Sequence, residues 1–118
     1  SLPAMRLRVA TYNVLSSHLA DPSHFTRCRP EDLAANARLP RVLEQLETEV
    51  SRGAVLALQE VSADWAGPLH AFFAQRGYTL LTALYGKPAN GYMGVGLAVP
   101  IDRYEVEEAW VKRLADTR

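Results

Sequence analysis

The spacing of apolar residues predicts alternating strands and helices along the chain. In residues 5–14, MRLRVATYNV, side chains such as Leu7 and Val9 fall on one side of an extended backbone, which predicts a strand. The small polar residues and prolines of residues 16–30 are typical of a loop, and EDLAANAR, residues 31–38, is typical of a short helix.

A longer helix is predicted to begin near Leu39, because Pro40 is accepted in a first helical turn and breaks a helix interior. Its apolar residues recur at helical spacing and share one face: Leu39, Leu43, Leu46 and Val50. Gly53 suits the left-handed position at which a helix ends.

A sheet is predicted from the rest of the chain. The apolar segment AVLALQ, residues 54–59, does not alternate and is interpreted as a central strand buried on both faces. Ser62 is placed to cap a second helix, which contains Trp65 and ends at Gly77. Three further strands are predicted at residues 78–85, 92–100 and 103–114. The order β-α-β-α-β-β-β predicts an α/β (α+β) fold, a mixed sheet with helices on one face and no cover for the other.

Composition narrows the class of protein. A chain of 118 residues is about the size of one small domain, and its formal net charge of zero gives no support to a large nucleic-acid footprint. The zero net charge does not exclude a local basic groove. One cysteine excludes an intrachain disulfide and favours a reducing, intracellular compartment. No apolar run approaches the roughly 20 residues of a membrane span.

Two polar residues stand at the ends of predicted strands, Asn13 in the first and Glu60 in the second. If these strands are parallel neighbours, their carboxyl ends share the edge where α/β sheets form sites. A carboxylate suits Mg²⁺, and an asparagine amide donates to phosphate oxygens. The pair therefore suggests half of a metal-assisted phosphoryl-transfer site. The alternatives are a turn-forming Asn13 and a Glu60 that is solvated or lies at a helix amino terminus.

Other polar and aromatic residues give weaker signals. His18, His24 and Cys28 share one loop, but their spacing fits no standard zinc site, so His18 is kept only as a tentative substrate contact. Arg38 and Arg41 are expected either to form surface ion pairs with Glu44 or to face phosphate. His70 is expected to be a partly buried structural residue. Three aromatics have a base-stacking alternative to a core position: Tyr12, Tyr92 and Trp65.

Several motifs together resemble one known superfamily. TYNVLS at residues 11–16, followed by LALQEV at residues 56–61, is similar to the opening of the endonuclease/exonuclease/phosphatase superfamily, which includes deoxyribonuclease I. CRP at residues 28–30 and the helix ARLPRVLEQLE add a resemblance to the nocturnin/angel-type deadenylases. GYTLLTALYGKPANGYMGVGLAVP also lies where that branch has a GY strand and a glycine-containing strand, so the resemblance covers essentially the whole chain.

The resemblance implies a function and roles for the candidate residues. The expected activity is Mg²⁺-dependent (or Mn²⁺-dependent) hydrolysis of phosphodiester bonds, with RNA, and a 3′ poly(A) end in particular, as the substrate. Glu60 would bind the metal, and Asn13 would contact the scissile phosphate or a metal-bound water. Gln59 would orient Glu60, although a simple packing role explains it equally well.

The resemblance also implies that residues 1–118 form only the amino-terminal portion of one domain. The later Asp-x-Asn, Gly-Asp-Phe-Asn-like and Ser-Asp-His-like elements of the superfamily do not occur here. The expected fold is therefore the first half of a four-layer αββα sandwich, whose missing half supplies the second sheet, and the fragment alone is expected to be inactive. The alternatives are a phosphoinositide or sphingolipid phosphoesterase of the same superfamily and a non-catalytic scaffold or assembly subunit.

Overall fold

A computed structural model of the chain describes residues 6–15, 35–88 and 92–112. These residues form four strands and two helices: β1 (Val9–Asn13), α1 (Ala35–Ser51), β2 (Val55–Val61), α2 (Ala63–Ala74), β3 (Tyr78–Ala83) and β4 (Gly94–Pro100). The predicted mixed α+β fold is confirmed. The predicted loop at residues 16–30 lies outside the described residues. Neither described helix is long and apolar enough to cross a membrane.

The four strands form one sheet in the order β1-β2-β4-β3. β1 and β2 pair in parallel, with Val9 opposite Val55 and Asn13 opposite Gln59. β4 is antiparallel to both β2 and β3. The parallel pair requires a crossover connection, and α1 lies within it. The carboxyl ends of β1 and β2 consequently share one edge of the sheet.

Both helices pack on one face of the sheet and close a single apolar core. Its largest buried side chains are Trp65, Phe73, Leu46, Leu56, Leu58 and Leu69. Tyr78 also lies in this core, and its hydroxyl donates to the Ala54 carbonyl over 2.7 Å. Burial raises the pKa of Tyr78, because the charged phenolate loses its hydration there. All four apolar residues predicted for one helix face pack on this core, and Val42 joins them.

Helix α1 runs without interruption through Pro40, so the prediction that a helix restarts near Leu39 is wrong. Pro40 is the sixth residue of α1, and its missing N–H removes only the hydrogen bond to the carbonyl four residues earlier. Leu39, Val42 and Leu46 pack on the core. This apolar packing outweighs the loss of one hydrogen bond near the helix amino terminus.

The opposite face of the sheet is open and largely apolar. Val9 is 58% exposed and Leu97 is 41% exposed, and both lie on this face. β2 is central, as predicted, but only its helix-facing residues are buried, while Val55 and Ala57 are half-buried. The interpretation of β2 as buried on both faces is therefore wrong for the described residues, because no second layer covers it.

Two further predictions are corrected by the structure. Residues 104–112, which fall in the strand predicted at 103–114, have no regular structure, and Trp110 there is 76% exposed. A strand needs a neighbour for its backbone hydrogen bonds, and no described strand pairs with this segment. His70 is exposed on α2 rather than partly buried, because its neighbour Leu69 takes the core position of that turn.

Gly94 predicts a sharp contrast between two glycine-to-alanine substitutions. A Cβ at Gly94 would lie 1.8 Å from the Ala83 carbonyl oxygen, so a strand must move to accept it. Gly67→Ala, in contrast, meets no atom within 4 Å and lies on an exposed turn of α2. We expect Gly94→Ala to lower the free energy of unfolding by about 3 kcal/mol and Gly67→Ala to raise it by about 0.5–1 kcal/mol. Urea unfolding of both variants measures this contrast, and equal stabilities would contradict the close approach of β3 and β4.

Candidate functional site

Asn13 ends β1 and folds the chain that follows it. Its Oδ1 accepts a hydrogen bond from the Leu15 N–H over 2.9 Å, which makes an Asx turn. Leu15 has a positive φ of 50°, so the chain leaves the strand direction at this residue. The side-chain oxygen of Asn13 therefore has the turn-forming role that is the alternative interpretation of this residue. Its Nδ2 donors have no partner among the described residues, and its side chain is exposed.

Glu60 lies in a β-bulge at the end of β2. Leu58 pairs with Gly96 and Val61 pairs with Gly94, so β2 carries one residue more than β4 between these pairs. Glu60 has a φ of 58°, in the left-handed region that non-glycine residues rarely adopt. A bulge of this kind turns a side chain away from the regular strand direction, and bulges are frequent beside active sites.

Between the end of β2 and the first turn of α2, three buried polar atoms have no hydrogen-bond partner in the described part of the chain: Glu60 Oε2, Ser62 Oγ and Trp65 Nε1. Ser62 occupies the cap position of α2, as predicted, but its side chain makes no capping hydrogen bond. Its carbonyl instead accepts the N–H groups of Trp65 and Ala66. Because buried polar atoms are nearly always paired, this cluster marks an edge that is not optimised for stability alone.

Gln59 connects the two parallel strands but does not hold Glu60. Its Nε2 donates to the Thr11 hydroxyl over 2.9 Å and to the Ala57 carbonyl over 3.1 Å. These bonds lie on the open face, beside the backbone bond from the Val14 N–H to the Gln59 carbonyl. Gln59 therefore fixes β1 against β2, and any effect on Glu60 passes through the backbone.

Arg38 lies against the same edge, and its described contacts do not include Glu44. Its guanidinium donates to the carbonyls of Val14 and Leu15, and it stacks 5.1 Å from the centre of the Trp65 ring. Burial lowers the pKa of Arg38, while Tyr12 nearby acts in the opposite direction. Glu44 lies six residues further along α1, on an exposed position that this side chain does not contact.

The structure brings Asn13 and Glu60 to one edge. Asn13 stands opposite Gln59, so Glu60 is one residue beyond it on a strand about 4.8 Å away. In the described ranges, no three acidic, histidine or cysteine residues cluster as a complete metal site. His18, His24 and Cys28 lie outside the described residues. Of the three aromatics, Trp65 is buried and Tyr12 packs on the core, while Tyr92 is exposed.

Sequence reasoning missed two features of this edge. The bulge depends on the pairing of β2 with β4, which is separated from it by a helix and a strand, so no local pattern predicts the backbone of Glu60. The contact of Arg38 with the end of β1 joins residues 23 and 24 positions apart. The one feature of the sequence that points to this contact is that Arg38 comes directly before the first apolar residue of the core-facing side of α1.

The backbone of Glu60 predicts an unusual order of stability among variants. Glycine tolerates a φ of 58° and alanine does not. The free energy of unfolding of Glu60→Gly should therefore be about 1 kcal/mol higher than that of Glu60→Ala. Glu44 on α1 is the matched control, because alanine is the better residue there by about 1 kcal/mol. Urea unfolding of the four variants checks this, and the same order at both sites would contradict the left-handed bulge.

The chain is similar in fold to proteins of known structure. No protein-family model and no curated protein matches the chain. Solved structures do match, and two of them are crystal structures of ANGEL2, a 2′,3′-cyclic phosphatase. The first, in complex with adenosine-2′,3′-vanadate, is 29% identical over 77% of this chain and 26% of that chain, with a TM-score of 0.65. The second is 28% identical over 80% of this chain and 27% of that chain, with a TM-score of 0.67.

The chain thus spans about a quarter of the length of the ANGEL2 structures that it matches. The similarity extends over most of this chain, and its mixed four-stranded sheet with two helices matches part of an endonuclease/exonuclease/phosphatase-like domain. The resemblance inferred from the sequence motifs is therefore supported at the level of this superfamily.

Proposed function

We propose that this chain forms the metal-binding edge of a Mg²⁺-dependent phosphodiesterase that acts on RNA. The observation that carries the proposal is Glu60, whose carboxylate stands on a left-handed bulge with one oxygen buried and unpartnered in the described part of the chain. Asn13 ends the neighbouring parallel strand. The similarity to a phosphatase supports a hydrolase that acts on phosphoesters.

Mg²⁺ fits the chemistry of this edge. It is bound in proteins by one or two carboxylates together with water and substrate phosphate, so Glu60 alone is a sufficient protein ligand from these strands. The unpartnered Oε2 of Glu60 is a hard oxygen that lacks a donor among the described residues. Mn²⁺ accepts the same oxygen ligands. When bound, the metal would polarise the phosphoryl oxygen and stabilise the charge that develops during hydrolysis.

Asn13 suits the phosphate better than the metal. Its Oδ1 is already bonded to the Leu15 N–H, whereas its Nδ2 donors have no described partner. In this arrangement Asn13 donates to a phosphate oxygen through Nδ2 and keeps its turn intact. The donation stabilises negative charge on the phosphate without adding a competing charge to the metal site.

We further propose that residues 1–118 are the amino-terminal portion of a larger domain. The open sheet face exposes Val9, Val95 and Leu97, which favours a second layer of the same protein over solvent. The match to about a quarter of the ANGEL2 chain supports the same proposal. The missing portion would supply the base that activates the attacking water, because the described edge contributes one carboxylate and that carboxylate serves the metal.

Two RNA substrates follow from this proposal. The nocturnin/angel-type resemblance favours the phosphodiester bonds of a 3′ poly(A) end. The solved structures favour a terminal 2′,3′-cyclic phosphate, because ANGEL2 is a 2′,3′-cyclic phosphatase. Both substrates present a phosphodiester at the 3′ end of RNA, and the same Asn13 and Glu60 would serve either reaction.

Removal of either proposed group should strongly reduce turnover in the longest polypeptide that the gene encodes. We expect Asn13→Ala to lower kcat by about 100-fold, since one donor to the reacting phosphate is lost. Glu60→Gln removes the metal-binding charge at constant shape and should lower kcat by at least about 100-fold. Glu44→Gln, an exposed glutamate on α1, is the matched control. Near-normal turnover of Glu60→Gln would contradict the proposal.

The two substrates are separated by one pair of oligonucleotides. An oligoadenylate that ends in a 2′,3′-cyclic phosphate and the same oligonucleotide with a free 3′ hydroxyl are incubated with enzyme and Mg²⁺, with and without a chelator. We expect faster opening of the cyclic phosphate than shortening of the free end, and neither reaction with the chelator. Faster shortening would identify a deadenylase instead. If neither RNA is hydrolysed, the proposed substrate class is wrong. The alternatives are then a lipid phosphoesterase and a non-catalytic subunit.

A further inference from the structure

We propose that Arg38 is a positioning residue that holds the two halves of the metal edge in register. The inference rests on the proposed function, since it concerns the site of Asn13 and Glu60. It assigns a role to a residue of α1 that would touch neither metal nor phosphate. Three contacts in the structure carry it.

The first two contacts fix the chain immediately after Asn13. Arg38 Nη2 donates to the Val14 carbonyl over 2.9 Å, and Nη1 donates to the carbonyl of Leu15. The N–H of Leu15 is bonded to Asn13 Oδ1. Leu15 is therefore held at its amide by Asn13 and at its carbonyl by Arg38, and it keeps a φ of 50° that a free leucine avoids. The side chain of Asn13 cannot leave its turn while both bonds persist.

The third contact reaches the segment that follows Glu60. The guanidinium carbon of Arg38 lies 5.1 Å from the centre of the Trp65 ring. Trp65 is 1% exposed and is the third residue of α2, so its ring moves with the start of that helix. Only Val61 and the cap residue Ser62 stand between Glu60 and α2. Arg38 thus donates hydrogen bonds from its N–H groups to the segment after Asn13, and the flat face of its guanidinium stacks on the segment after Glu60.

Only arginine can make all three contacts. Its planar guanidinium directs two parallel donors at neighbouring carbonyls while its face stacks on an aromatic ring. A lysine ammonium is a compact charge on a flexible stem, so it can donate to a carbonyl here but has neither the planar fork nor the flat face that stacks on the ring. Arg38→Lys therefore keeps the charge and most of the volume but releases one strand end from the other.

The test is direct binding of Mn²⁺, which reports on the edge without turnover. The longest polypeptide that the gene encodes is titrated with Mn²⁺ while electron paramagnetic resonance measures the free ion. Four proteins are compared: the unaltered protein, Arg38→Lys, Glu60→Gln and the matched control Arg52→Lys. Arg52 is exposed just beyond α1 and pairs only with Glu49 among the described residues. We expect Arg38→Lys to weaken Mn²⁺ binding by about 10-fold, as for other residues that orient metal ligands, and Arg52→Lys to leave it unchanged.

The folded state of each variant is checked by thermal unfolding. A purely structural role would lower the midpoint but leave the Mn²⁺ dissociation constant of the folded fraction unchanged. Arg38→Gln, which keeps one planar donor group, is the second variant in case Arg38→Lys does not fold. If neither variant folds, Arg38 is a residue of the core and the inference is wrong.

The outcomes separate this inference from the function on which it rests. Mn²⁺ binding that is lost in Glu60→Gln and weakened in Arg38→Lys supports both. Binding that is lost in Glu60→Gln but unchanged in Arg38→Lys leaves the metal at Glu60 and overturns the role of Arg38. Binding that is absent from the unaltered protein, or unchanged in Glu60→Gln, overturns the proposed function and the inference with it.

Discussion

The parallel pairing of β1 with β2 is the constraint on which the other features of this chain depend. Parallel strands begin at one edge and end at the opposite edge, so the pairing of Asn13 with Gln59 brings Asn13 and Glu60 to the same end. The pairing also demands a crossover, and α1 lies in it on one face of the sheet. An antiparallel pair would place the two residues at opposite ends of the sheet.

The packing of both helices on one face has a second consequence. One face of the sheet is closed by a continuous core, while the other exposes Val9 and Leu97. In an antiparallel sheet with one face in water, the strands place polar residues at the water-facing positions. At these two positions this face carries apolar residues instead. The bond between Gln59 and Thr11 is a polar link in the middle of it. The composition of the open face therefore agrees with a protein layer above it rather than with solvent.

Much of this arrangement could be predicted from the sequence, because strand alternation and helical spacing are local. They gave the type and order of the six described elements and the placement of Asn13 and Glu60 at strand ends. The predictions for Pro40 and His70 were wrong because the packing of neighbouring residues on the core determines the helix at Pro40 and the exposure of His70. The segment at 104–112 was misjudged because a strand requires a pairing partner, which no local pattern reveals. The bulge at Glu60 and the contacts of Arg38 depend on residues far apart in sequence, and only the folded chain shows them.

The departures from local rules gather at one place. Leu15 and Glu60 both have positive φ angles, and a carboxylate oxygen, a hydroxyl and an indole N–H are buried without described partners beside them. Each departure of this kind lowers stability by about 1–3 kcal/mol, and a chain selected for stability alone would replace Glu60 with glycine. Elsewhere among the described residues, positive φ angles occur at Gly53 and Gly77, where they cost little, and at Tyr92 in the connection between β3 and β4. The concentration of unfavourable features at the ends of β1 and β2 is what the proposed metal site would require, because a bound cation would pair the buried oxygen and offset the strain that folding alone leaves in place.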